Sequence, residues 1–260
     1  MLLALDIGNS NIVIGASSNG EWKHQWRIQT DTNKTADEYA VLFNSLFSEF
    51  DLGFGRFDQV IISSVVPQLT QTISEVFEKK SHTKALILNG DVETGLTIKR
   101  LNRRSVGADL IADAVGAYAL FEDDCIVVDF GTATTVMAVK KPGELMGGSI
   151  SAGLKVTIDA LVGKTAQLSQ IPLEPPKQVI GGSTMEAMQS GLVLGHLCMI
   201  EGLIVRMRKQ MGGSAKVIAT GGLSEKIAEH TDYFDVIDPM LTLDGLRLIM
   251  ERQAKGNRRK

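Results

Sequence analysis

The chain has 260 residues, 44% of them hydrophobic and 22% charged, which is the balance of a folded protein with one large or two compact cores. Lys and Arg number 27 against 30 Asp and Glu, a net charge of −3, too little of either sign to suggest a nucleic-acid binder and compatible with a small anionic ligand. With 26 Gly and 6 Pro, it is neither collagen-like nor wholly disordered.

Two cysteines, Cys125 and Cys198, lie in separate apolar runs and are read as small buried residues, not as a disulfide framework or a metal knuckle. The opening Met1 to Asp6 lacks the basic n-region of a signal peptide, and no apolar run approaches the ~18 residues that span a bilayer. A cytoplasmic protein without membrane or nucleic-acid partners is expected.

In chain order, short β-branched runs at Leu2 to Leu5 and Ile12 to Gly15 read as strands. A helix opens at Thr35, with Glu38 in capping-box spacing, and carries Tyr39, Leu42, Phe43, Leu46, Phe47 and Phe50 as a core stripe. Strands follow at Val60 to Val66 and Ala85 to Leu88, with a helix over Gln68 to Lys79 between them. After a helix over Gly107 to Leu120 come strands at Cys125 to Phe130 and Thr135 to Val139, a long helix over Thr184 to Met211, a strand at Lys216 to Ala219 and a helix over Thr242 to Arg252. Strands alternating with helices define an α/β class.

The pattern Leu5-Asp6-Ile7-Gly8-Asn9-Ser10-Asn11 echoes 123 residues later as Val128-Asp129-Phe130-Gly131-Thr132-Ala133-Thr134. Each copy is a strand, an Asp, a Gly with hydroxyl or amide neighbours, and a second strand. Repeated units of this kind predict two lobes of similar topology, 1–115 and 116–260, facing each other across a cleft. Such turns can aim N–H groups and hydroxyls at phosphate oxygens, while the preceding Asp holds hydrated Mg²⁺. A single turn of this type reads equally well as an ordinary hairpin.

Asp109 follows Gly107 and Ala108 at a helix start; it reads either as a first-turn acid favoured by the helix dipole or as a base accepting a hydroxyl proton. Gly147 to Gly153 and Ala219-Thr220-Gly221-Gly222 read as tight, Gly-rich strand exits. Ser183 and Glu186 have capping-box spacing. Gly163-Lys164-Thr165 imitates the end of a P-loop, but Ile158 stands where the first Gly is required, so that reading is rejected. On the helix over 184–211, Met188, Leu192, Met199 and Leu203 recur at helical steps and form an apolar face.

Taken together, Asp6-Ile-Gly-Asn-Ser, Val106-Gly-Ala-Asp109, Asp129-Phe-Gly-Thr-Ala-Thr-Thr135 and Ala219-Thr-Gly-Gly-Leu223 resemble the type III pantothenate kinases, within the sugar kinase, heat-shock ATPase and actin superfamily. The resemblance implies two ribonuclease-H-like lobes and a homodimer that transfers the γ-phosphate of ATP to pantothenate, the first step toward coenzyme A. Asp6, Ile7, Gly8, Asn9, Ser10, Asn11 and Thr132 would then hold ATP and Mg²⁺, with Asp6 reaching the metal through water. Asp129 would bind K⁺ or NH₄⁺, and Asp109 would be the general base. Arg100, Gly107, Ala108 and Leu110 would line the substrate pocket, completed by Thr184 of the neighbouring subunit.

Three positions depart from the family pattern. Leu110 stands where the family has an Arg for the pantothenate carboxylate, Arg100 where it has a Tyr, and Ser183 where it has an Asn. Arg100, Arg103 and Arg104 are the nearby candidates for the carboxylate contact. Leu110 also admits two other readings: a kinase for a different small hydroxyl acceptor, or a nucleotide-binding regulatory relative.

Overall fold

The computed structural model describes residues 1–99 and 102–257, which divide into two compact units, Met1–Gly116 with Leu241–Lys260 and Ala117–Met240. Arg100, an expected pocket residue, lies outside the described residues.

In the first unit, β1 (Leu2–Ile7), β2 (Asn11–Ser18) and β3 (Glu21–Gln29) form an antiparallel meander. After α1 (Ala36–Ser48), β4 (Gln59–Ser64) pairs parallel to the free side of β1; after α2 (Pro67–Ser81), β5 (Leu86–Ile87) pairs parallel to β4. The sheet order is β3-β2-β1-β4-β5. Leu3, Ala4, Leu5, Ile7 and Val60 to Ile62 have no exposed surface, as expected of central strands covered on both faces. The capping box forms: Glu38 N donates to Thr35 Oγ1 at 3.4 Å and Thr35 N donates to Glu38 Oε2 at 2.8 Å. From there α1 sinks Tyr39, Phe43 and Phe47 into the core. Phe50 breaks the expected stripe, because the helix ends at Ser48; its ring is exposed and stands 4.2 Å from that of His24. In β3, Trp26 alone of nine residues is fully buried, so this edge strand carries little apolar signal.

Helix α3 (Ala108–Phe121) crosses the division at Gly116. The second unit then contains β6 (Cys125–Phe130), β7 (Ala133–Lys140), β8 (Glu144–Ala152) and α4 (Leu154–Gly163), followed by α5 (Thr184–Met188), a π-helical stretch Gln189–Leu194 and α6 (Gly195–Met211). It closes with β9 (Lys216–Thr220), α7 (Ser224–Ala228) and β10 (Val236–Ile237). Its sheet runs β10-β9-β6-β7-β8, with β6, β7 and β8 antiparallel and β9 and β10 parallel to their neighbours. Order and strand senses repeat those of the first sheet, so the echo in the sequence reports a repeated topology.

Several expectations are corrected here. Gly147 and Gly148 lie inside β8, not in a turn: Gly147 sits at a register shift, and a Cβ on Gly148 would stand 2.2 Å from Val136 O. Cys198 is exposed, because its neighbours His196, Leu197 and Ile200 take the inward face of α6; Cys125 is buried. The π stretch also shifts the apolar face: Met188 and Val193, five residues apart, are buried, whereas Leu192, Met199 and Leu203 are only partly so. The helix Thr184–Met211 holds an 18-residue window of mean hydropathy 1.5, long and apolar enough to cross a bilayer. Here Leu197, Ile200 and Ile204 of that helix pack in the second core.

The chain finally returns to the first unit as α8 (Leu241–Asn257), so this helix does not belong with the C-terminal lobe in which the sequence placed it. Small residues permit the return. A Cβ on Gly116 would lie 2.8 Å from Leu241 O, and one on Gly245 would lie 1.9 Å from Ala112 O, so α3 and α8 touch backbone to backbone. Thr242 Oγ1 donates to the buried Asp113 Oδ1 at 2.6 Å, and Trp22 Nε1 donates to Asp244 Oδ1 at 3.1 Å.

Candidate active site

Asp6 is the penultimate residue of β1 and lies in register with Ser63 of β4. Ser63, fully buried, donates through Oγ to Asp6 Oδ1 at 2.8 Å. The chain then turns back through Gly8 to Asn11, closed by Gly8 N donating to Asn11 O at 3.0 Å. Ile7 is buried beneath the turn, and the side chains of Asn9, Ser10 and Asn11 are exposed. The N–H of Gly8 is therefore committed within the turn; the exposed amides and hydroxyl are what it offers to a ligand.

Asp109 enters from the first turn of α3, and its Oδ1 accepts from Leu110 N at 2.8 Å. The carboxylate folds back over Gly107, where a Cβ would stand 2.4 Å from Asp109 Oδ1. Gly107 is thus fixed by space: any side chain there displaces the acid. Ala108 is buried and Leu110 half-buried.

Burial, and then the charge of Asp109, push the Asp6 carboxyl up to about 7, against the smaller opposing effect of the Ser63 hydrogen bond. Burial also raises Asp109, while the backbone N–H groups of Leu110 and of Asp109 itself favour its charged form. The two carboxyl groups lie close enough for the charge of Asp109 to act on Asp6. The first unit therefore holds two neighbouring carboxyl groups, one at the end of a strand beside the exposed turn and one at a helix start, suited to holding a cation and to accepting a proton.

Among the basic residues ahead of α3, Arg103 and Arg104 lie on a 3-10 turn. Arg104 is paired with Asp91, at 3.3 Å from Nε and 3.2 Å from NH2.

In the second unit, Asp129 occupies on β6 the place Asp6 has on β1, and pairs in register with Thr220 as Asp6 does with Ser63. The loop after β9 presses on it: Gly221 has φ +91°, and a Cβ there would stand 2.2 Å from Asp129 Oδ1. Thr220 Oγ1 is buried without a hydrogen-bond partner, unlike its counterpart Ser63. An orphaned hydroxyl beside a carboxylate and a glycine cradle fits a bound cation with oxygen ligands. Thr132 sits in the turn after Gly131, and its carbonyl accepts from Gly153 N at 3.0 Å.

Thr184 is exposed at the start of α5. Ser183 caps that helix, Glu186 N donating to its Oγ at 3.2 Å, but the Glu186 carboxylate takes Gly182 N at 2.8 Å instead of Ser183 N, so the capping box is half made. Among the described residues no three His, Cys, Asp or Glu side chains cluster. Asp6 and Asp109 are thus brought together in the first unit, and Asp129 with the Gly221 loop in the second.

The sequence did not mark Ser63, and it marked Thr220 only as part of a Gly-rich segment, not as a neighbour of Asp129. Each sits on a strand far along the chain from its Asp, and only strand pairing aligns them; the available signal was a hydroxyl in an otherwise apolar strand.

The family model for type III pantothenate kinase matches residues 2–206. A type III pantothenate kinase of Moorella thermoacetica is 43% identical over 254 residues, covering 98% of this chain and 100% of the relative. Among solved structures, a Campylobacter jejuni protein described as a Baf family transcriptional activator superposes with a TM-score of 0.60 at 20% identity, covering 97% of this chain and 99% of that one. Component A of (R)-2-hydroxyglutaryl-CoA dehydratase from Acidaminococcus fermentans gives 0.52 at 12% identity, covering 98% of each chain. At such identities the structural matches speak for the fold, the actin-like α/β architecture with two five-stranded mixed sheets.

Proposed function

The chain belongs to the type III pantothenate kinase family, and from that premise we propose that it transfers the γ-phosphoryl group of ATP to the primary hydroxyl of pantothenate, yielding 4′-phosphopantothenate for coenzyme A synthesis. The observation that carries this reading is the Asp6–Asp109 pair, with Asp109 seated over Gly107.

In this reading Asp109 accepts the hydroxyl proton as the oxygen attacks the γ-phosphorus. The new O–P bond forms, the bond to the β,γ-bridging oxygen breaks, and ADP departs with that electron pair. Asn9, Ser10 and Asn11, exposed on their turn, bind ATP phosphates; Ile7 and Gly8 shape that turn, and Thr132 contributes from its own. Asp6 would hold Mg²⁺ through water. The metal supplies positive charge against the triphosphate. Asp129, with Thr220 beside it, would hold K⁺ or NH₄⁺.

Gly107, Ala108 and Leu110 line the acceptor pocket, and Thr184 of a second subunit in a homodimer completes it; Arg100 is assigned to it from the sequence alone. Leu110 brings no donor to the pantothenate carboxylate, so that contact falls to the basic residues ahead of α3, of which Arg104 is already engaged by Asp91. The enzyme works in the cytoplasm.

The test is product identity. Protein incubated with ATP, Mg²⁺, K⁺ and pantothenate should yield pantothenate heavier by one phosphoryl group, attached by NMR at the primary hydroxyl. ATP consumption with unmodified pantothenate would contradict the proposal.

A further inference from the structure

Two hydrogen bonds from one residue outside the Asp6 turn hold its two sides. Thr30, the first residue after β3, donates through Oγ1 to Gly8 O at 2.7 Å and through its backbone N to Ser10 O at 3.0 Å. The segment behind it is anchored in turn: Asp31 N donates to the hydroxyl of the buried Tyr39 at 3.2 Å, and that hydroxyl donates to Asp31 O at 2.9 Å. Thr30 therefore ties the turn to α1 and not only to its own hairpin.

The second unit shows what this contact replaces. Gly153 follows β8 as Thr30 follows β3, and its N donates to Thr132 O at 3.0 Å. A Cβ at Gly153 would stand 2.4 Å from Gly131 O, the carbonyl that corresponds to Gly8 O. One turn is thus braced by direct backbone approach, which only glycine permits, and the other across a hydroxyl. The hydroxyl bond is the one device in the first unit's brace that a side-chain substitution can remove alone.

We infer that Thr30 is a positioning residue for the phosphate-binding turn: its hydroxyl fixes the Gly8 carbonyl, and so the direction in which Asn9, Ser10 and Asn11 face. The inference rests on the reading of that turn as the ATP site. Thr30→Val removes the hydroxyl while keeping side-chain shape, and Thr30→Ser restores it.

The expected result for Thr30→Val is a rise in KM for ATP of about tenfold, the loss of one hydrogen bond, with KM for pantothenate within twofold of wild type and the ATP effect largely reversed in Thr30→Ser. A merely structural role would lower activity with both substrates and melting temperature together, without rescue by Ser. Asn11→Ala, measured alongside, separates the two claims. If Asn11→Ala raises the ATP KM and Thr30→Val does not, the positioning role is overturned and the ATP site stands; if neither does, the reading of the turn itself fails.

Discussion

Gly107 and Asp109 carry the most information per atom. A methyl group at 107 would lie 2.4 Å from Asp109 Oδ1, so Gly107→Ala must turn the carboxylate away from its place. We expect kcat to fall by two orders of magnitude or more, as for loss of a positioned base, with the melting temperature changed little; near-wild-type turnover would contradict the placement. For Asp6, burial and the Asp109 charge lift its pKa from 3.8 to about 7. The folded, ligand-free state therefore binds the proton more tightly than the unfolded chain. The stability this confers is complete below about pH 4 and is lost as pH rises through 7. Asp6→Asn escapes the loss, which amounts to up to about 4 kcal/mol, and should melt higher than wild type at pH 8 but not at pH 4, despite being inactive. Equal differences at both pH values would contradict the shift.

At the scale of elements, the hydrogen-bonded caps and the apolar strands were plain in the sequence, since both rest on local chemistry: Thr35 and Glu38 three residues apart, and the β-branched run of β4. What escaped was non-local. Edge strand β3 buries only Trp26 completely, and the π stretch at 189–194 moves the inward face by one residue without any sequence mark. The α3–α8 contact depends on Gly116 and Gly245, whose role lies in a long-range backbone approach and not in local pattern. Gly245→Ala would set a methyl 1.9 Å from Ala112 O and should cost about 2–3 kcal/mol in chemical denaturation. An unchanged unfolding midpoint would mean that the helices are not packed at this point.

For the whole molecule, the Asp-x-Gly echo foretold the doubled topology because strand, turn and strand are set by contiguous residues. It could not foretell that the chain's last helix joins the first unit, since that depends on Gly116 and Gly245 meeting Leu241 and Ala112. Likewise Asp6, Asp109 and Asp129 were legible as candidates from motif context, while Ser63, and the pairing of Thr220 with Asp129, emerged only from strand register. The role of Asp109 as the base of a pantothenate kinase is tested by pantothenate-dependent ADP release, with ATP, Mg²⁺ and K⁺ held constant, for the wild type and for Asp109→Asn. The expected result is turnover that requires pantothenate in the wild type and falls at least a hundredfold in the variant while ATP still binds. Turnover independent of pantothenate, or undiminished in Asp109→Asn, would contradict it.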